Sequence, residues 1–137
     1  MKNIALFIYL LAFSFSFSQS DYGARNQIDN FNTVASNYYN TKDILNAFNK
    51  ANQARQLSDS LNDDYGSALA NFRLGKLYMH MHKHENAKAS FLRMQKHSKQ
   101  IKDNYLTAIS YFNIGLLNRA KNNSLAVVPF FKEANSY

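Results

Sequence analysis

Three histidines alternate at His80, His82 and His84, with Lys83 among them. Two histidines four residues apart on a helix can share a metal ion. This stretch runs into a polar turn without the rest of a ligand set, so it reads as solvated surface. Asp63 and Asp64 are adjacent carboxylates, the residue type of general acid–base pairs. A carboxylate just before an apolar periodic stretch is explained more simply as a helix cap. There is no Gly-rich phosphate loop and no serine in a nucleophile motif. The absence of cysteine excludes disulfides, thiolate metal sites, a cysteine nucleophile and a lipidated Cys. Asn122-Asn123-Ser124 matches a glycosylation sequon, a match common by chance. No catalytic constellation emerges. The expectation is a protein that is not an enzyme, with no cofactor and no metal.

The elements that carry these residues are helical. The 137 residues are 46% hydrophobic, with one Pro and four Gly, enough apolar material for a core and too little Gly and Pro for a disordered or fibrous chain. Apolar positions recur at three- and four-residue spacing, as in Leu69, Phe72, Leu77 and Met81, then Ala87, Phe91, Met94 and Ile101. Lys83-His84-Glu85 reads as the turn between these two helices. Asp63 and Asp103 read as caps of first helices, Lys121-Asn122-Asn123-Ser124 as a second turn, and Pro129 as an early position of the last helix.

The chain also repeats itself at a constant offset of 40 residues. Residues 63–97 and 103–137 share Asp63/Asp103, Tyr65/Tyr105, Ala68/Ala108, Phe72/Phe112, Gly75/Gly115, Leu77/Leu117 and Phe91/Phe131. The offset reaches back through Tyr38/Tyr78, Asn46/Asn86, Ala47/Ala87 and Ser58/Ser98, and Ala35 stands where the later units have glycine. Glycine inside a helix costs about 1 kcal/mol against alanine, so its recurrence at one phase suggests a close contact. The units are 26–62, 63–102 and an incomplete 103–137.

Ahead of the repeats, Lys2 precedes an apolar stretch from Ile4 to Phe17, and Ser16-Phe17-Ser18 supplies small residues for cleavage before Gln19. Residues 1–18 therefore read as a signal peptide and 19–25 as a linker, placing the protein in the periplasm or outside the cell. The alternative is a retained anchor. No second segment is apolar enough to cross a membrane. Net charge falls from +7 to +6 when Lys2 is removed. The cations Lys83, Lys88, Arg93, Lys96, Lys99 and Lys102 are dispersed, which fits a solvated helix face better than a nucleic-acid stripe.

These motifs resemble the tetratricopeptide repeat. The second unit has Leu74-Gly75-x-x-Tyr78 followed by Ala87-x-x-x-Phe91; the third has Ile114-Gly115 followed by Val127-x-x-x-Phe131. Asn118 and Val127 depart from the pattern, and the period of 40 exceeds the usual 34. The surplus falls after Phe91, which predicts a longer second helix and following turn. The long period is similar to that of bacterial regulators of this family. The resemblance implies an all-α fold, a right-handed α-solenoid of about three antiparallel helix pairs. Gly75, Tyr78, Ala87, Phe91, Gly115 and Phe131 would pack the repeats.

First helices would line the concave side. The resemblance places Asn32, Ser36, Tyr39 and Asn40 there, with Lys76, Met79 and His80, then Leu116 and Arg119. Phe72 and Phe112 fit a core between repeats better than a groove. The implied function is an exported scaffold that holds a protein or peptide, one with an apolar anchor and an acidic group. The family's clamp of two lysines and two asparagines for a terminal carboxylate is not reproduced. The alternative function is the sensory N-terminal segment of a histidine kinase or transcription regulator. Val127, Val128, Phe130 and Phe131 in the last helix predict an apolar face covered by further sequence, by self-association through that helix, or by a partner.

Overall fold

The computed structural model describes residues 22–120 and 128–136, and the described residues are all-helical apart from short turns. The expected signal peptide at 1–18 and the expected turn at 121–124 lie outside them, as do Val127 and the side chain of Phe131. Among the described residues six helices follow one another: α1 (22–40), α2 (Ile44–Ser60), α3 (Asp64–His80), α4 (His84–Gln100), α5 (Asn104–Ala120) and α6 (Val128–Asn135). Helices α2 to α5 are each 17 residues long and begin 20 residues apart. The 40-residue sequence period is thus a 20-residue backbone period, taken twice.

The turns explain that regularity. Each of the links 41–43, 61–63, 81–83 and 101–103 places its middle residue in the left-handed region: Lys42 at φ 62°, Asn62 at 53°, His82 at 57° and Lys102 at 56°. The amide after it reaches five residues back: Asp43 to Tyr38 O, Asp63 to Ser58 O, Lys83 to Tyr78 O and Asp103 to Ser98 O, at 2.8–2.9 Å. This is the Schellman closure of a helix C-terminus. The same last residue then caps the next helix. Asp43 accepts from Asn46 N, Asp63 from Gly66 N and Asp103 from Leu106 N, whereas Lys83 has no side-chain cap.

Two expectations are corrected here. The turn before α4 is Met81-His82-Lys83, and His84 and Glu85 already belong to the helix. The second helix of the unit is no longer than the first, since both span 17 residues and both end in three-residue links. The Schellman closure fixes the length of the links. Asp64, one residue past the cap, bonds instead to His97 Nδ1 at 2.7 Å and ties α3 to α4.

Packing runs along the chain, α2 on α3, α3 on α4, α4 on α5 and α5 on α6. One core cluster gathers Ala68, Ala87, Phe91, Met94, Leu106, Ile114 and Leu117; the other gathers Ala35, Ala47, Ala51, Leu74 and Leu77. Tyr78 packs against both, its ring edge-on to Phe48 with centroids 5.4 Å apart. Small hydroxyls line the tight places and bond carbonyls of their own helix, as Ser58 does to Ala54 O at 2.8 Å and Ser110 to Thr107 O at 2.6 Å. Bonding within the helix removes the cost of a buried unpaired hydroxyl.

Candidate functional site: a cationic cavity between the first and third helices

Helices α1 and α3 are held together near their N-terminal halves. Ile28 is fully buried, and its Cγ2 lies 2.6 Å from where a Cβ on Gly66 would sit. Asn32 is 2% exposed and donates from Nδ2 to Gly66 O at 3.4 Å. Asn32 therefore belongs to the seam between the helices, and its expected place on an open groove is corrected. A residue without a Cβ lets the α1 side chains come this close.

Beyond that seam the two helices leave a cavity of about 80 Å³. Its lining is Ala35, Ser36, Tyr39 and Asn40 from α1, and Phe72, Arg73, Lys76 and Leu77 from α3. Ser36, Tyr39, Asn40 and Lys76 are thus brought together from the set expected on the groove. The Lys76 ammonium stands 4.7 Å from the Tyr39 ring centroid and 5.6 Å from that of Phe72. Such contacts hold the cation by the ring quadrupole without neutralising it. His80 is exposed at the edge of this group, with its ring 6.5 Å from that of Tyr39.

Arg73 is the residue that sequence reasoning missed. Its Nη1 donates to Leu69 O at 3.3 Å, one turn back on its own helix. Its Nε is buried with no hydrogen-bond partner. Burial pulls the guanidinium below its ordinary pKa, and the Tyr65 hydroxyl acts weakly the other way. No acidic side chain is among the residues lining the cavity. A signal was present in the sequence: Arg73 stands where the neighbouring units carry Thr33 and Asn113.

The remaining expected residues divide between surface and core. Met79 is half-buried and packs against the Phe91 cluster. Leu116 is half-buried and Arg119 exposed on α5. Ala87 and Phe91 are fully buried, and Gly115 is buried as well. Gly75 faces the Phe91 ring so closely that a Cβ would lie 2.5 Å from Cε1. Phe72 packs against the Phe91 cluster, as a core residue between repeats should, and also lines the cavity, whereas Phe112 is 48% exposed. Tyr65 and Tyr105, one repeat apart, are 49% and 74% exposed. With Phe72 and Phe112 seven residues further along their helices, they set aromatic rings at matching positions of α3 and α5. On α6, Val128 is 64% exposed while Phe130 packs against the core.

Among the described residues no group of three or more His, Asp and Glu side chains could hold a metal ion, and no helix is long and apolar enough to cross a membrane. Comparison with protein-family models gives no match, and comparison with the curated proteins gives none either. Fold and site together define an all-helical, repeat-like protein with a small cationic cavity between two of its helices.

Proposed function

We propose that the chain is an exported scaffold of the tetratricopeptide type, a right-handed solenoid of antiparallel helix pairs. It holds a protein or peptide along the face made by α1, α3 and α5. It performs no chemistry of its own and acts in the periplasm or outside the cell. One observation carries the reading. Four residues expected on the groove from their repeat positions, Ser36, Tyr39, Asn40 and Lys76, line one cavity. The half-exposed rings of Phe72, Tyr65, Tyr105 and Phe112 extend an apolar surface from it. Aromatic rings are effective anchors because they offer large contact area at small entropic cost, and cations beside them add orientation.

The test is capture of partners from periplasmic and extracellular extract on the immobilised protein, with Lys76→Glu and Arg119→Glu as groove variants. Both side chains are at least partly exposed, so neither reversal should unfold the chain. Each variant is expected to lose a partner that the parent retains. Retention of every partner by both variants would show that the groove lies elsewhere.

A further inference from the structure

We propose that the α1/α3 cavity receives one carboxylate side chain, Asp or Glu, from the bound peptide, held by Arg73 and Lys76. The proposal rests on the peptide-binding reading above and goes beyond it by assigning the chemistry of one position in the ligand. The argument begins with Arg73. Arg73 is half-buried, and a guanidinium partly withdrawn from water normally has a carboxylate or several carbonyls to accept from it. This one bonds a single carbonyl of its own helix through Nη1, and its Nε has no partner. Lys76 stands one turn further along α3, held over two aromatic rings. The lining thus carries two cations, and no acidic side chain in it balances their charge.

An incoming carboxylate would offset it. Its two oxygens can accept from a guanidinium fork and from the ammonium, and such charge-assisted bonds are the strong ones. Ser36 and Asn40 supply neutral donors on the α1 side of the same cavity. The volume of about 80 Å³ suits a carboxyl group with its methylene stem and is too small for a folded element of a partner. The exposed rings on α3 and α5 would meet the apolar residues of the same peptide.

The experiment is selection of random peptides with amidated C-termini on the full chain and on its Arg73→Met and Lys76→Met variants, together with melting curves of all three. Enrichment of one acidic residue at fixed spacing from apolar ones is expected on the parent. Both variants should lose that acidic preference and bind the selected peptides about ten- to a hundredfold more weakly. Arg73→Met should melt at the same temperature as the parent or higher, because it removes a desolvated charge. A lower melting temperature would mark Arg73 as a structural residue and overturn its role. Enriched peptides without an acid would overturn the carboxylate and leave the groove in place. Enrichment only from a parallel library with free C-termini, or preference for phosphoserine over glutamate in a third, would overturn the side-chain assignment. No enrichment from any library would overturn both the proposal and the peptide-binding reading.

Discussion

The first two units share one register, yet they distribute bulk differently within it. In the second unit Gly75 on α3 meets Phe91 on α4, and the ring occupies the space a Cβ would need. In the first unit the same two positions are Ala35 and Ala51, both fully enclosed in the other core cluster. A second exchange lies between units. Ile28 on α1 packs against Gly66 on α3, while one repeat later Ala68 on α3 shares a core with Leu106 on α5. At Gly66 and Gly75 a large residue is matched by a missing side chain, whereas the first unit sets two alanines at the positions of Gly75 and Phe91. Where a contact carries a large side chain, the position facing it is a glycine or shares a core with an alanine. Close packing of interiors is the physical reason.

The largest expected effect breaks this match outright. Phe91→Ala should cost about 3–5 kcal/mol, since it empties a fully buried position. Gly75→Ala should cost about 1–3 kcal/mol by overpacking against the ring, although alanine is the better helix former. In a Phe91→Ala background the sign should reverse, with Gly75→Ala restoring about 1 kcal/mol because the space is then open. Ala35→Gly in the first unit should cost about 1 kcal/mol and bring no relief. Urea denaturation of the four variants gives the comparison directly. If Gly75→Ala destabilises equally with and without Phe91, the exchange of volume is not what fixes the glycine.

Much of this was legible beforehand, in the repeat more than in the site. The 40-residue offset marked Gly75, Phe91 and the Asp63 and Asp103 caps, because caps and close contacts depend on local chemistry that every unit needs. The halving of the period to 20 was hidden. The turns 41–43 and 61–63 share backbone geometry, yet their middle residues are Lys42 and Asn62, with no common side-chain signal. Arg73 was hidden for another reason. A single arginine on a helix reads as solvated, and its half-burial beside α1 residues of the cavity shows only in the fold. Asn32 was misplaced by the close approach of α1 to α3, since a polar residue on an expected groove gave no sign that it would bond across the seam to Gly66 O.

A smaller effect tests the helix start that departs from the others among α2 to α5. Asp63 caps α3 through Gly66 N, but Lys83 offers α4 no acceptor and sets a cation at the positive end of the helix dipole. Lys83→Asp should stabilise the protein by about 1 kcal/mol, and Asp63→Ala should cost about the same. No change in stability at either position would mean that the shared backbone turn already satisfies the first amides.

The smallest effects lie at the four left-handed residues, where the turns differ in sequence but not in shape. An L-residue in this conformation is disfavoured by about 1–2 kcal/mol per residue, glycine is not, and asparagine is the common substitute. Lys42, His82 and Lys102 therefore carry a local strain that Asn62 largely avoids. Their side chains also contribute little burial, since all three are exposed. Lys42→Gly, His82→Gly and Lys102→Gly should each stabilise the protein by about 0.5–1 kcal/mol, with the relief partly offset by the greater freedom of glycine in the unfolded chain. Asn62→Gly should change stability by a few tenths of a kcal/mol at most. The three gains should be additive, because the sites lie in separate turns that share no partner. A triple variant whose denaturation midpoint does not rise above that of the parent would show that the left-handed residues are not strained, and that the common turn is imposed by helix packing alone.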